Sequence, residues 1–361
     1  MENRILVYGM TDNRGGIESY VMNFYRQMDK SKIAFDFIID FKEMAYEEEV
    51  RKSGSTVYKI PSKRKHPLSH LTGFYRVLKS HPEYNTVYFN VLNSATAYSM
   101  LIPHLLKRKV VVHSHNGSDD NMRLHRLFMR LLNRFANKKL ACSELAARHM
   151  FGDSCVDNGE VSLINNAICV DDFIFNDETR LLKRKELGLN GELAVLHIGR
   201  MANQKNPMYL IDIFEELLKL RNDAILLYAG IGEMENDVKN AAKQKGIDQS
   251  IRFLGLRDDV PEIMQAADIF LLPTKYEGLP IVAIEAQTSD LPCFLSENIS
   301  SAVKITDNVR FLSIDASPSV WADEIAKYDK SERSDRKKSI TDAGYNIKNE
   351  TDKLINILSG L

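Results

Sequence analysis

Short apolar runs and longer amphipathic stretches alternate along the chain. Residues 5–8, 110–112 and 269–272 are apolar at every position, which is typical of strands buried on both faces of a parallel sheet. Stretches such as 17–28 carry their apolar residues at helical spacing instead. This regular succession of strand and helix predicts an α/β fold built on doubly wound parallel sheets.

The length predicts two domains. At 361 residues the chain exceeds what a single hydrophobic core usually serves. A helical segment after residue 177 ends the first strand–helix succession, and a second one starts with the apolar run 193–198. We therefore expect a first domain over 1–180, a second over 190–339, and a closing helix within 340–361.

Composition narrows the class of protein. A formal net charge of −1 gives no overall basic field, so nucleic acid is not expected as a partner. The four cysteines have no metal-binding or paired spacing, which favours free thiols in a reducing compartment. No apolar run reaches 18 residues and no signal peptide is recognised, so a cytoplasmic location is expected.

The stretch 268–285 carries the strongest candidate chemistry. Its apolar run ends at Pro273, a turn contains Glu277 and Gly278, and Pro280 stands where a helix prefers its first residue. A strand, a glycine turn and a helix N-terminus together predict an anion site. Glu277 and Glu285 would stand roughly 12 Å apart if the segment rises as a helix, which is the span of a nucleotide sugar. The alternative is a surface turn glutamate and an ordinary helix glutamate.

Two cations follow the strand predicted at 193–198. Arg200 and Lys205 flank a turn at its carboxyl end, where a guanidinium fork and an ammonium point charge suit a diphosphate. The alternative is two surface cations without a ligand.

The first domain offers two further candidates. Gly15 and Gly16 lie between its first strand and first helix, where glycine permits close approach of backbone to a ligand or a tight turn. His113 and His115, at the end of the strand that begins at residue 110, lie where ligands bind in open α/β sheets. A structural role for these histidines is the alternative.

Two basic segments have open interpretations. The helix predicted within Arg123–Lys139 carries six cations and no acid, so it is either docked with a solvated basic face or in contact with anionic lipid. The loop 62–67 contains Lys63, Arg64 and Lys65, which indicates either solvated surface or contact with an anionic acceptor.

Taken in order, these motifs resemble those of the retaining glycosyltransferases of family 4 (group 1). Glu277 and Glu285 match the Glu-x7-Glu motif of that family, and Gly199-Arg200 with Lys205 matches its Gly-Arg-x(4–5)-Lys element. Asn206 replaces the glycine that usually follows. The capsular and exopolysaccharide branch is most similar. The resemblance implies a GT-B fold, in which two Rossmann-like domains face each other across a cleft and the last helix crosses back to the first domain.

The resemblance also implies the roles of the site residues. Glu285 would bind ribose, Glu277 would orient the hexose, and backbone near Leu256 and Arg257 would read the base. His113 would contact the hexose, with His115 as its close competitor. The remaining residues would lie at the phosphates of the donor: Gly15, Gly16, Arg200, Lys205, Gly278 and Leu279.

The implied reaction moves a hexose from a nucleotide sugar to a glycan or lipid-linked acceptor in bacterial surface polysaccharide synthesis, at the inner face of the plasma membrane. UDP is the expected nucleotide and GDP the alternative. No metal or other cofactor is expected, because Arg200 and Lys205 would replace a divalent ion. The acceptor would attack on the face that the diphosphate leaves, whereas Glu277 as a covalent nucleophile is the alternative mechanism.

Three other functions share some of these features. They are a GT-B epimerase or phosphorylase, a non-catalytic nucleotide-sugar-binding subunit, and a peripheral membrane scaffold resting on Arg123–Lys139 alone. Donor hydrolysis or epimerisation without acceptor would indicate the first, and donor binding without turnover the second. The complete set of Arg200, Lys205, Glu277 and Glu285 favours the transferase.

Overall fold

A computed structural model describes residues 3–13, 15–117, 122–328 and 332–360; for 122–124 it describes the backbone alone. The chain divides into two compact units. Unit 1 comprises Met1–Ala167 with Ile347–Leu361, and unit 2 comprises Ile168–Asn346. Each unit is built on a parallel sheet with helices, as the alternating pattern predicts.

The sheet of unit 1 has seven parallel strands in the order β3-β2-β1-β4-β5-β6-β7. Their bounds are β1 Asn3–Tyr8, β2 Ile33–Ile39, β3 Val57–Lys59, β4 Thr86–Val91, β5 Lys109–Ser114, β6 Lys138–Ala141 and β7 Val161–Leu163. The strand order reverses between β1 and β4, so the loops after these two strands diverge and leave a crevice at their carboxyl ends.

The sheet of unit 2 has six parallel strands in the order β10-β9-β8-β11-β12-β13. Their bounds are β8 Leu193–Ile198, β9 Ala224–Ala229, β10 Ile251–Gly255, β11 Ile269–Leu272, β12 Cys293–Ser296 and β13 Val309–Leu312. Here the strand order reverses between β8 and β11. Lys205 lies in the segment after β8, and Glu277 lies in the segment after β11.

Helices connect the strands within both units. Their bounds are α1 Gly16–Gln27, α2 Glu47–Lys52, α3 Pro67–Ser80, α4 Ala97–Leu105, α5 Met122–Phe135, α6 Glu144–Phe151, α7 Asp153–Asp157, α8 Val170–Phe173, α9 Asp177–Glu186, α10 Pro207–Leu220, α11 Glu235–Gln244, α12 Val260–Ala266, α13 Ile281–Thr288, α14 Pro318–Ala326, α15 Lys337–Asp342 and α16 Ile347–Ser359. A short 3₁₀ helix, Asn203–Lys205, precedes α10.

The boundary between the units differs from the predicted one near residue 180. Val170 and Phe173 are buried in the core of unit 2, so the preceding loop already belongs to that unit. Arg180 of α9 donates to Asp268 Oδ1 at 2.5 Å, and Arg184 donates to Asp268 Oδ2 at 3.2 Å. The sequence pattern placed α8 with the unit that precedes it in the chain, whereas packing places α8 in unit 2 and the ion pairs to Asp268 place α9 there.

The closing segment is also divided differently from its prediction. One closing helix was expected within 340–361, but Gly344 has φ +84° and separates α15 from α16. Ile340 of α15 is buried in the core of unit 2. By contrast α16 belongs to unit 1, where Leu354 is buried and Glu350 accepts a hydrogen bond from Asn165 N at 2.7 Å.

Among the described residues, no helix combines the length and the apolar character needed to cross a membrane.

Candidate active site

A lysine and a glutamate meet where the strand order of unit 2 reverses. Lys205 follows β8 and Glu277 follows β11, so both lie in loops at the carboxyl edge of the sheet. Lys205 Nζ donates to both carboxylate oxygens of Glu277, at 2.7 and 2.6 Å. The two residues are 72 positions apart in the chain, and the parallel topology brings them together.

Backbone and side-chain hydrogen bonds join the two loops that carry this pair. Gln204 O accepts from Lys275 N at 2.9 Å and from Thr274 Oγ1 at 2.8 Å. Asn206 adopts left-handed backbone (φ +54°), a region that asparagine tolerates better than most residues, and Pro207 then begins α10. The substitution of asparagine for the usual glycine is therefore compatible with the turn.

A pocket of about 330 Å³ opens beside this pair, at the carboxyl ends of β8, β9 and β10. Arg200, Leu256 and Arg257 all line it, so three predicted site residues come together here. Gly230 also lines the pocket. Its φ is +138° and a Cβ there would stand 2.1 Å from Gly199 O, so only glycine fits this close approach of two backbone segments. Arg200 is exposed and pairs with no carboxylate in the described part of the chain.

The other two predicted residues that line this pocket, Arg257 and Leu256, differ in the surroundings of their side chains. The side chain of Arg257 is engaged: it donates to both oxygens of Asp259 at 2.6 and 2.5 Å and to Glu186 at 3.2 Å. Leu256 is 76% exposed. Base reading by their backbone groups stays a prediction.

The turn after Glu277 leads into α13 as predicted. Gly278 is exposed, and a Cβ built on it meets no described atom within 4 Å, so a ligand can approach the backbone here. Leu279 and Pro280 precede the first turn of α13. Glu285, on the next turn, is partly buried, and desolvation raises its pKa to about 7. Its carboxylate makes no hydrogen bond or ion pair with the described residues.

In unit 1 the structure disfavours His113 as a ligand-contacting residue. Its imidazole is fully buried, and the hydroxyls of Tyr20 and Tyr88 lie 3.2 and 2.6 Å from Nδ1. Burial lowers the pKa of His113 well below its ordinary value, so the ring is neutral. His115 lies just beyond the end of β5 and is only partly buried, so it is the accessible member of the pair.

The glycine pair of unit 1 begins α1. Neither Gly15 nor Gly16 has a positive φ, and a Cβ on Gly16 would meet no described atom within 4 Å, so turn geometry does not require glycine there. The loop is held instead by Glu18, which the sequence analysis missed. Glu18 accepts from Thr11 N at 2.8 Å and from Gly15 N at 3.1 Å. Its position three residues after Gly15 is the spacing of a capping box, which was the available signal.

The basic helix α5 is amphipathic but not fully docked. Leu132 is buried in the core of unit 1, whereas Leu127 and Leu131 are 60% and 40% exposed. Arginines 126, 130 and 134 are exposed on the same helix. The side chain of Arg123, which belongs to the predicted surface, lies outside the described residues. The leucines of α5 are thus divided between the core and the solvent.

Family models match both units of the chain. The model described as "Glycosyltransferase Family 4" matches residues 14–172, and the model described as "Glycosyl transferases group 1" matches residues 179–347. The second match contains Arg200, Lys205, Glu277 and Glu285.

Curated relatives agree with these matches. A Bacillus subtilis protein named as a glycosyltransferase, EpsF, is 31% identical over 360 residues, which is 96% of this chain and 93% of that protein. The capsular polysaccharide biosynthesis glycosyltransferase CapH of Staphylococcus aureus is 21% identical over 87% of both chains. An Escherichia coli α-1,3-galactosyltransferase, named for UDP-Gal and a GlcNAc-diphosphoundecaprenol, is 34% identical over 145 residues, 39% of this chain and 38% of that enzyme.

A solved structure supports the fold. Anabaena Alr3699/HepE in complex with UDP superimposes with a TM-score of 0.78 at 18% identity, covering 99% of this chain and 100% of that one. With two doubly wound units, matches to both family models and a relative similar over nearly its whole length, the chain belongs to the family 4 (group 1) glycosyltransferases and has the GT-B fold.

Proposed function

We propose that this glycosyltransferase moves a hexose from a UDP-sugar to a glycan or lipid-linked acceptor in bacterial surface polysaccharide synthesis, with retention of configuration and without a metal ion. The names of EpsF and CapH support transfer over the epimerase alternative, since both match over most of their length. The UDP complex of the HepE structure supports the nucleotide, and the E. coli relative's name supports a diphosphate-linked lipid as acceptor.

The observation that carries the proposal is the Lys205–Glu277 pair at the strand-order reversal, next to the Arg200 pocket. A nucleotide in that pocket would place its diphosphate at the carboxyl edge of β8. There Arg200 and Lys205 would stabilise the negative charge that develops on the leaving diphosphate, the kind of electrostatic stabilisation that contributes most in many enzymes. The backbone of Gly278 and Leu279 would add amide donors at the start of α13.

The carboxylates would act on the sugars of the donor. The Glu285 carboxylate makes no hydrogen bond or ion pair with the described residues, so its oxygens are available to ribose hydroxyls. Glu277, once Lys205 turns to the diphosphate, would accept hydrogen bonds from hexose hydroxyls. The hexose-contacting histidine in this proposal is His115, because His113 is inaccessible.

The exposed face of α5 supports contact with an anionic membrane surface. Leu127 and Leu131 are one turn apart and exposed, and the arginines at 126, 130 and 134 accompany them. Exposed leucines flanked by arginines are the combination by which interfacial helices bind anionic lipid. Such contact would bring the enzyme to a lipid-linked acceptor.

Calorimetry against UDP and GDP, with chelator and without metal, tests the donor site. We expect micromolar binding of UDP, weakened by at least about tenfold in Arg200→Ala, the loss of one charge-assisted contact. Arg252→Ala is the matched control, because Arg252 lies near the amino end of β10, at the opposite edge of the sheet. This variant should bind UDP as tightly as the wild type.

The outcomes separate the alternatives. Binding of UDP, together with transfer of a hexose from a UDP-hexose to a lipid-linked acceptor, supports the transferase, whereas binding without any turnover supports a non-catalytic subunit. A requirement for divalent metal would contradict the metal-free mechanism, and failure to bind any nucleotide would remove the proposed donor site.

A further inference from the structure

A second pocket lies in unit 1, apart from the proposed donor site, and its lining includes Lys63 and Arg64 of the basic loop 62–67. It has a volume of about 610 Å³, within the range of about 300–1,000 Å³ that is usual for small-molecule sites. Its lining comes from the carboxyl ends of β1 and β4, where the strand order reverses, and from the loops after β2 and β3. All of these segments belong to unit 1. We call it the Lys63 pocket.

A desolvated cation lines this pocket. Lys63 Nζ donates to the Tyr8 hydroxyl at 3.2 Å and stands 5.4 Å from the centre of its ring. Within the described residues no carboxylate lies at ion-pair distance from Nζ. Burial lowers the pKa of Lys63, and Asp40 partly opposes that effect. Lys63 is half-buried, and the Asp40 carboxylate, which accepts from Lys63 N at 3.4 Å, compensates its charge only in part. An anionic ligand would supply the direct partner that Nζ lacks.

An unsatisfied amide lines the same pocket. Asn90 is 3% exposed, and its Oδ1 accepts from His115 Nε2 at 2.9 Å. Its Nδ2 has no hydrogen-bond partner among the residues that the structure describes. Buried polar groups are nearly always hydrogen-bonded, so a donor left unpaired at a pocket wall indicates a ligand oxygen or an ordered water. This observation is independent of the one at Lys63.

A buried network fixes the floor of the pocket. The Ser99 hydroxyl lies 2.9 Å from His70 Nε2 and 3.5 Å from the Tyr8 hydroxyl, and His70 Nδ1 lies 2.9 Å from Pro61 O. Burial, and next the Asp40 carboxylate, raise the pKa of Tyr8. The phenol of Tyr8 therefore stays protonated, and its oxygen accepts the hydrogen bond from Lys63 Nζ.

The remaining lining residues suit a sugar ring. Phe41, which is 40% exposed, and Tyr98 provide aromatic surface for the apolar face of a pyranose. Asp40 offers carboxylate oxygens to sugar hydroxyls. Arg64 adds a second cation at the rim. Cations, hydrogen-bonding groups and aromatic surface in one pocket match a sugar that carries a negative group.

We propose that the Lys63 pocket is an acceptor subsite for a pyranoside bearing an anionic group, with Lys63 on the anion and Asn90 Nδ2 on a sugar or anion oxygen. The proposal rests on the proposed transferase function, which requires an acceptor. The anion can come from two sources: the phosphate that links the sugar to a lipid, or the carboxylate of an acidic sugar.

Titrations followed by ligand-observed NMR test the subsite on the full chain. The probes are methyl glucoside, methyl glucuronoside and glucose 1-phosphate, with saturating UDP present so that the phosphate site of unit 2 is filled. At least one anionic probe should bind about fivefold or more tighter than methyl glucoside, as expected for a charge-assisted contact. Preference for glucose 1-phosphate indicates a lipid-linked phosphate, and preference for the glucuronoside indicates an acidic sugar.

Three variants assign the effect to the pocket. Lys63→Met should reduce the anionic preference to less than about twofold, since the cation is gone. Asn90→Asp, which replaces a donor by a charged acceptor of the same shape, should weaken the anionic probes in a second, independent way. Lys65→Met is the matched control, because Lys65 is exposed in the same loop and does not line the pocket.

The result that overturns the proposal is equal binding of charged and neutral probes, or an anionic preference that Lys63→Met and Asn90→Asp leave unchanged. Urea unfolding of each variant confirms that unit 1 is intact, because the proposed UDP site lies in unit 2 and its affinity does not report on unit 1. Normal UDP binding without anionic preference would reject the subsite alone, whereas absence of UDP binding by the wild-type chain would reject the proposed function.

Discussion

Lys205 Nζ lies 2.7 and 2.6 Å from the two carboxylate oxygens of Glu277, and the side chains are only 15% and 20% exposed. In this arrangement each residue neutralises the other. In the proposed function, a diphosphate that binds Lys205 would replace Glu277 as its partner, and the freed carboxylate would accept from the hexose. Until a donor binds, the pair would hold both charges in one contact.

Separating the pair should affect binding and turnover differently. Glu277→Gln removes the anion that competes for Lys205, so UDP affinity should be maintained or rise, while sugar transfer falls by about 100-fold or more because the hexose loses a carboxylate contact. Lys205→Met should weaken UDP binding by about tenfold or more. Calorimetry and a transfer assay measure the two effects.

A second lysine–glutamate pair in unit 2 provides the control. Lys245 donates to Glu215 at 2.6 Å on the surface between α10 and α11. Lys245→Met and Glu215→Gln should change neither UDP binding nor turnover. If Glu277→Gln weakened UDP binding as much as Lys205→Met does, the pair would be structural and the displacement model would be wrong.

The partly buried carboxylate of Glu285 should make the free energy of unfolding depend on pH. Its pKa in the folded chain is about 7, above the usual value of about 4.3 in an unfolded chain. The associated stability is therefore fully present below pH 4 and lost as pH rises through 7. Glu285→Gln should abolish this loss, leaving the variant about 2 kcal/mol more stable than wild type at pH 8, after allowance for partial solvent screening.

Urea unfolding at pH 5 and pH 8 measures this difference. Glu297→Gln, a change of an exposed glutamate in the same unit, controls for unrelated effects of the substitution. A wild-type chain whose stability relative to Glu285→Gln is the same at both pH values would contradict a raised pKa at Glu285.

Substitutions of His113 and His115 should affect different properties, the first stability and the second sugar transfer. His113→Leu leaves the buried hydroxyls of Tyr20 and Tyr88 without their imidazole partner, so it should lower the free energy of unfolding by about 2 kcal/mol. His115→Ala should leave stability within about 1 kcal/mol and reduce transfer by about tenfold or more. Urea unfolding and a transfer assay distinguish them, and a catalytic loss confined to His113→Leu would reverse the assignment.

The exposed leucines of α5 should control binding to anionic vesicles. The double variant Leu127→Asp/Leu131→Asp should reduce co-sedimentation with vesicles rich in phosphatidylglycerol by about tenfold, because it removes apolar contact and adds repulsion. Leu181→Asp/Leu182→Asp is the matched control, since these leucines on α9 are 71% and 65% exposed. Equal loss in both double variants, or no loss in either, would contradict a membrane role for α5.

Much of the fold follows from local pattern. The apolar runs at 110–112 and 269–272 form central strands β5 and β11, and Pro280 precedes α13. The joining of the Lys205 and Glu277 loops could also be anticipated, because parallel strands bring their carboxyl ends to one edge. The pattern failed at Ile340, whose apolar character requires burial but does not say which unit provides it.

Depth of burial was the other quantity that the sequence did not determine. His113 and His115 have the same chemistry and lie two positions apart, yet one is fully buried and the other is not. Likewise, neither the missing partner of Asn90 Nδ2 nor the desolvation of Glu285 has any signature in the sequence. Both depend on segments that are distant in the chain and close in the fold.

Unit 1 is discontinuous, because α16 packs with residues that precede Ala167. Glu350 is buried and binds Asn165 N, and Leu354 is fully buried, so these groups complete the unit at which the chain begins. During synthesis, unit 1 therefore cannot reach its final state until the whole of unit 2 has been made. Unit 2, continuous from Ile168 to Asn346, is the part of the enzyme that can finish folding first.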